Sequence, residues 1–288
     1  MGKILVTGAT GNIGSHLVER LKENNLEVIA GVSSLSKGGR FVKQGIETAI
    51  INFTQPETLE TALEGVERLF LLLPLVEPMV EWGRQVIVAA QKAGIRFVLR
   101  SSGLGADPDT GYELGKTHGL IDQALRQSGI PYAILRPNSF MQNYVNFFGA
   151  AIRDQQAFYL AQGQGRISLI DVRDIAAVAA AILTDPAAHL NQAYDLTGPE
   201  ALNNEEIAAL ISRASGKTVT YHDIPEETSR EGMARLGVPE WNIRVLESLH
   251  RRIKLGMTAE VTSQVRTITG KVPISFARFA EDYASFWK

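Results

Sequence analysis

One stretch near the amino end restricts the fold more than any other: Lys3-Ile4-Leu5-Val6-Thr7-Gly8-Ala9-Thr10-Gly11-Asn12-Ile13-Gly14. Lys3 to Val6 is a short apolar run, the pattern of a strand buried on both faces. After Asn12 the period changes. Ile13, Leu17 and Leu21 recur every fourth residue with Val18 beside them, which is one face of an amphipathic helix. Three glycines therefore stand where a strand hands over to a helix. Gly8 permits a turn that a β-carbon would obstruct. Gly11 lets the backbone approach a bulky anion, and Gly14 lets the helix lie close to the strand. The first helical turn offers unpaired N–H groups and the positive end of the helix dipole, a seat for a pyrophosphate. In this context the glycines predict dinucleotide binding, with Thr10, Asn12 and Ile13 contributing beside Gly8 and Gly11.

The chain beyond repeats the alternation of strand and helix. Strands are expected at Leu26 to Val32, Gly45 to Asn52, Arg68 to Leu73, Arg96 to Ser101 and Ile130 to Leu135, with short ones at Ile167 to Val172 and Ala193 to Leu196. Helices are expected from Gln55, over Pro78 to Ala93, over Glu113 to Ser128, from Tyr144 and over Asp171 to Leu183. This is the pattern of a doubly wound α/β fold with a parallel sheet, and right-handed crossovers give the order 3-2-1-4-5-6. From about Leu202 helices dominate: Asn204 to Ala214, Pro225 to Leu236, Pro239 to Lys254 and one from Ile274. The expected division is a nucleotide-binding domain of residues 1–155 and 168–198, and a smaller, mainly helical substrate lobe of residues 156–167 and 199–288.

In this fold ligands lie at the carboxyl ends of the strands. The end of the second strand reads the adenosine ribose. Ser33-Ser34-Leu35-Ser36-Lys37-Gly38-Gly39-Arg40 follows it as a polar loop with no Asp or Glu. Hydroxyls of Ser33 and Ser34 and the cations of Lys37 and Arg40 suit a 2′-phosphate, which favours NADP and leaves NAD as the alternative. Asn52 and Phe53 are expected to flank the adenine, and Leu73 and Pro74 to form a wall against the ribose. Ser101, Ser102, Pro137 and Asn138 are expected near the nicotinamide.

Composition narrows the partners. The 288 residues are 45% hydrophobic and 21% charged, with a net charge of −2. No global attraction to nucleic acid or an anionic membrane is expected, and no apolar run is long enough to span a bilayer. Cysteine is absent, which removes disulfides, thiolate metal sites and a cysteine nucleophile. The amino end runs straight into the first strand without room for a signal peptide, so a cytoplasmic location is expected. The five histidines show neither His-x-His nor His-Glu-x-x-His spacing, so no metal site is expected. Neither a Gly-x-Ser-x-Gly elbow nor a P-loop lysine-serine pair occurs. A homodimer is left open.

A second motif is more specific: Ser128-Gly129-Ile130-Pro131-Tyr132-Ala133-Ile134-Leu135-Arg136-Pro137-Asn138-Ser139-Phe140-Met141-Gln142-Asn143. Together with Thr7 to Gly14 it resembles the NmrA-like branch of atypical short-chain dehydrogenase/reductases. The likeness extends to Leu255-Gly256-Met257 and to Thr269-Gly270-Lys271-Val272-Pro273. It implies a Rossmann domain with a small C-terminal lobe, NADP as the usual cofactor, and hydride transfer to a small, planar, electron-poor acceptor such as a quinone, dye, enone or imine. Ser33 stands where relatives often carry an arginine for the 2′-phosphate, which leaves that task to Lys37 or Arg40.

Two sets of groups are candidates for the chemistry. Tyr112 and Lys116 match Tyr-x-x-x-Lys, a spacing that places both on one helix face, where the lysine would lower the tyrosine pKa. Counting back from Ile130-Pro131, the resemblance places His118 where related reductases carry His or Lys in the cleft. A near-neutral imidazole could donate a proton to a carbonyl or hydrogen-bond the substrate. Asp122 falls where relatives often carry an acid. Phe140, Met141, Tyr144 and Trp241 are the candidate walls of an aromatic or quinone-like substrate pocket. Two other readings remain at this level. One is a redox-sensing regulator that binds the dinucleotide without turnover. The other is a sugar-nucleotide epimerase or dehydratase, which requires a working Tyr112–Lys116 pair.

Overall fold

The computed structural model describes residues 2–288. Strands β1 (Lys3–Val6), β2 (Val28–Val32), β3 (Glu47–Ile50), β4 (Val66–Leu71), β5 (Phe97–Ser101) and β6 (Tyr132–Pro137) alternate with helices α1 (Asn12–Glu23), α2 (Leu35–Lys43), α3 (Pro56–Leu63), α4 (Met79–Lys92) and α5 (Glu113–Gln127). There follow α6 (Asn143–Asn146), α7 (Gly149–Gln155), β7 (Ala157–Leu160), α8 (Val172–Thr184), β8 (Gln192–Leu196), α9 (Asn204–Ser215) and β9 (Thr220–Asp223). The chain ends with α10 (Glu226–Arg235), α11 (Glu240–Lys254), α12 (Gln264–Thr269) and α13 (Phe276–Asp282).

The main sheet has the order β3-β2-β1-β4-β5-β6-β8. Pairings β1–β2, β1–β4, β2–β3, β4–β5 and β5–β6 are all parallel. The order 3-2-1-4-5-6 inferred from crossover handedness is the one observed, and β8 extends it. Every residue of β2 and β5 is buried, as in a parallel sheet covered on both faces, which is why β2 reads as an apolar run rather than an alternating one. Among the described residues no helix is long and apolar enough to cross a membrane.

Two compact units share the chain. The first comprises Met1–Thr110, Gly115–Arg136 and Ile175–Tyr194, and the second comprises Gly111–Leu114, Pro137–Asp174 and Asp195–Lys288. Residues 137–155, which sequence patterning groups with the nucleotide domain, fall in the second unit. The core of the first unit joins Leu5, Leu69, Leu71 and Val98 of the sheet to Ile121 and Leu125 of α5. The core of the second is aromatic. Tyr144 packs edge-on against Phe158 and Phe276, and its hydroxyl donates to Asn204 Oδ1 at 2.6 Å.

Three segments depart from the sequence expectation. Ser33 to Arg40 is not a polar loop: Leu35–Lys43 is a helix. Phe41 in its last turn is buried and Gly38 lies against Val32 and Thr48, so packing overrides the poor helix propensity of Gly38-Gly39. Ile167 to Val172 is not a strand but a set of isolated bridges, Ile167 with Leu202 and Thr258, and Ile170 with Phe140. The parallel pair β7–β9 was not anticipated. Each of its strands has four residues, too few to declare a period.

Trp287 is fully buried beside Phe279, and its indole N–H donates to the Tyr144 carbonyl at 3.1 Å. Replacing it removes a large side chain from a closed core. Trp287→Ala is expected to destabilise the second unit by about 3–5 kcal/mol, seen as a fall in the urea midpoint. A midpoint equal to that of the parent would show that the indole contributes no packing energy.

Candidate active site

The turn between β1 and α1 is held from the neighbouring strand. The Thr7 hydroxyl donates to the Leu72 carbonyl at 2.7 Å and accepts from the Leu72 N–H at 2.7 Å. Gly8 takes a left-handed φ of +64°. A β-carbon on Gly14 would lie 2.2 Å from the Gly8 carbonyl oxygen, so α1 approaches the turn as closely as a glycine permits. Gly11 is the N-cap of α1, no side chain caps it, and the first turn carries no acidic residue. The first amides of the helix therefore remain available and face no competing carboxylate. Gly8, Thr10, Gly11 and Asn12 are exposed around them, whereas the Ile13 side chain is buried and leaves only its backbone to serve. This donor set fits a diphosphate.

The carboxyl end of β2 carries cations. Lys37 Nζ donates to Ser33 Oγ at 3.2 Å, and the Ser34 and Ser36 hydroxyls lie 3.0 Å apart. The α2 helix that replaces the expected loop brings Arg40 back to the glycine turn, where it donates to the Ala9 carbonyl at 3.2 Å. Other expected contacts are engaged differently. Asn52 Oδ1 accepts from the Thr54 backbone and hydroxyl at 3.1 and 2.8 Å, and Phe53 stacks on Trp82. Leu73 points into the core and Pro74 is exposed, whereas it is Leu72 that touches the Gly8 turn.

The carboxyl end of β5 meets α5 in a polar cluster whose Arg100, Ser102 and Asp122 are buried and whose His118 and Arg136 are half-buried. Arg100 and Ser102, two residues apart on an extended backbone, face the same side. His118 and Asp122, one helical turn apart, face them from α5. Ser102 Oγ donates to Asp122 Oδ2 at 2.9 Å, and Arg136 Nε of β6 approaches the same oxygen at 3.7 Å. Burial raises the Asp122 pKa, opposed by Arg100, the Ser102 bond, Arg136 and Arg126. Arg100 NH2 lies 3.2 Å from His118 Nδ1. Burial and then the Arg100 charge push the His118 pKa down to about 3. The imidazole is thus neutral at physiological pH, which makes it a hydrogen-bonding group rather than a store of a labile proton. Its Cδ2–Nε2 edge lies against Gly103, just past β5.

Tyr112 and Lys116 do not form the hoped-for pair of a tyrosinate and its activating cation. Tyr112 precedes α5, is buried, and has the Arg252 guanidinium 4.7 Å from its ring centroid. Burial raises its pKa, opposed by Arg252, which is the reverse of activation. Lys116 is solvent-exposed. Ser101 and Pro137 are buried. Asn138 is a clamp. Its amide nitrogen donates to Ser168 Oγ and the Thr258 carbonyl, both at 2.9 Å, and its Oδ1 accepts from the Ser139 N–H at 2.8 Å. Both amide protons are thereby used inside the second unit, leaving none to donate to a cofactor.

The second unit also contains a cavity of about 540 Å³. Tyr144, Phe148, Phe158, Met233 and Leu249 contribute to its walls, and none of the lining residues carries a formal charge at neutral pH. Met141 and Trp241 are buried outside this lining, and Phe140 pairs with Ile170 instead. Among its polar members is His250, which no sequence motif marks. Burial pushes the His250 pKa down to about 4, opposed by Glu226 and Glu247. Its one trace in the sequence is a histidine at an otherwise apolar position of amphipathic α11.

A glycine turn under an uncapped helix, in a sheet of this order, defines a dinucleotide-binding α/β protein. Residues 1–261 match the model of the NmrA-like family, and the chain belongs to that family. It is 38% identical to an NAD(P)H azoreductase of Xenophilus azovorans over 98% of each chain. It is 32% identical to quinone oxidoreductase 2 of Escherichia coli (strain K12), over 82% of this chain and 83% of that protein. The structure superimposes on the E. coli NADPH-dependent quinone oxidoreductase solved with NADPH at a TM-score of 0.87 and 28% identity, covering 97% of this chain and 99% of that one.

Gly14 tests the cradle. Gly14→Ala forces the Gly8 carbonyl and α1 apart, an overpacking cost of about 1–3 kcal/mol. NADPH affinity measured by calorimetry is expected to fall, with a matching drop in melting temperature. Unchanged affinity would mean that the diphosphate does not use this turn.

Proposed function

We propose that this chain is an NADPH-dependent reductase of small, planar, electron-poor acceptors, with quinones and azo or cationic dyes the first to try. The observation that carries the reading is the uncapped, acid-free first turn of α1 beneath the Gly8 turn. The likeness to an azoreductase and a quinone oxidoreductase gives the reaction class.

The residues divide the work as follows. The α1 amides hold the diphosphate, and Lys37 and Arg40 hold the 2′-phosphate. NADPH, when bound, supplies a hydride. The cavity of the second unit has the size of pockets that enclose drug-sized aromatic ligands. Its uncharged lining favours apolar rings and desolvates them, while His250 offers a neutral hydrogen-bonding edge. At the carboxyl end of β5, His118 donates a hydrogen bond to the acceptor heteroatom that gains charge, and water completes the protonation. Tyr112 and Lys116 take no part in proton transfer, which removes the support for an epimerase or dehydratase.

The deciding experiment is NADPH consumption by the purified protein with a quinone, an azo dye and a cationic dye. Turnover with at least one is expected. Normal NADPH binding with no turnover across the panel would leave a nucleotide-sensing regulator. Cofactor choice has its own test. Lys37→Ala combined with Arg40→Ala is expected to weaken NADPH on the order of tenfold or more, two charge-assisted contacts being lost, while NADH binding changes little. Equal loss for both cofactors would move the 2′-phosphate site elsewhere.

A further inference from the structure

The geometry points to Arg100 as a positioning residue that fixes His118 as the Nε2–H tautomer and turns that N–H toward the carboxyl edge of β5. This rests on the reading of His118 as the acceptor's hydrogen-bond donor.

Arg100 has a relative exposure of 0%. Its guanidinium makes one hydrogen bond among the described residues, from NH2 to His118 Nδ1 at 3.2 Å. Its Nε and NH1 have no protein partner, nor do Asp122 Oδ1 and Arg136 Nε as hydrogen-bonding atoms. A cation buried with so few bonds is expensive, and an apolar side chain of the same size would usually serve stability better. The neighbours of Arg100 on β5, Phe97, Val98 and Leu99, show what the strand position otherwise takes. Packing thus gives no reason for an arginine, whereas its effect on His118 does.

A guanidinium has donors and no acceptor. Against Nδ1 it requires that nitrogen to be unprotonated, so the ring proton sits on Nε2. A carboxylate in the same place would do the opposite, holding the proton on Nδ1 and favouring the imidazolium. Arg100 therefore sets tautomer and charge together. Burial lowers its own pKa to about 10, opposed by Asp122, so it remains a cation at neutral pH. The charged groups facing this pocket are Arg100 from β5, Asp122 from α5 itself and Arg136 from β6, with Arg126 acting on Asp122. Removing Arg100 takes away the cationic charge that adds to burial in lowering the His118 pKa, and that pKa then rises.

The test begins with the parent protein. Ring ¹⁵N shifts of the full-length chain are followed from pH 4 to 8, with the His118 signals assigned by their loss in His118→Gln. A neutral Nε2–H ring that does not titrate over most of this range is expected. An Nδ1–H tautomer, or a midpoint near neutrality, overturns the proposal. Arg100→Met is then expected to raise the midpoint by about 1–3 pH units and to add a matching limb to the pH profile of kcat/KM. Arg100→Lys keeps the charge and is expected to keep the ring neutral. If Arg100→Met folds and leaves both the tautomer and the profile unchanged, Arg100 does not position His118. If it fails to fold, the parent shifts and Arg100→Lys decide. Absence of turnover with every acceptor would overturn the reductase reading, while the ring shifts would still report on Arg100.

Discussion

Everything in the first unit depends on how near α1 comes to the end of β1. The Gly8 carbonyl occupies the place where a side chain on Gly14 would begin. That contact fixes the start of the helix over the turn and brings its free amides to the edge of the sheet. Thr7, bonded to the backbone of Leu72, carries the same constraint into β4. Arg40, bonded to Ala9, carries it into α2. Small residues at one crossing thus determine where a charged ligand can be received.

A second polar centre is built on a different principle. In the cluster of Arg100, Ser102, His118, Asp122 and Arg136 the first, second and fourth are buried and the other two half-buried, and several of its polar atoms lack protein partners. In a low-dielectric setting each charge there acts strongly on its neighbours. His118 and His250 are both held neutral mainly by burial, but their neighbours differ. His118 faces a cation that lowers its pKa further, whereas Glu226 and Glu247 partly offset the burial of His250. The more electropositive setting suits a donor to developing negative charge; the apolar one suits recognition of an uncharged ring system.

Much of the frame could be read from residue order. Strands buried on both faces and helices of clear period gave the sheet order, and the glycine spacing gave the tight turn between β1 and α1, because both depend on local patterns. What depended on distant contacts could not be read. Gly38-Gly39 suggested a loop, but burial of Phe41 and the contact of Gly38 with Val32 and Thr48 make it a helix. Asn138 looked like a ligand contact because it follows β6, but its partners Ser168 and Thr258 lie far along the chain. Arg100 did leave a mark, a charge directly after the run Phe97-Val98-Leu99 in the same strand, and only the position of His118 shows its meaning. Tyr112 and Lys116 matched a spacing, and burial of one with exposure of the other removed the chemistry that spacing suggests.

The chain passes repeatedly between its two units, at residues 110–111, 114–115, 136–137, 174–175 and 194–195. No single cut releases either one, so neither can be exchanged as a cassette between related sequences. Each unit therefore has to fold with the other's segments already threaded between its own, so a truncation at any of these junctions removes part of both.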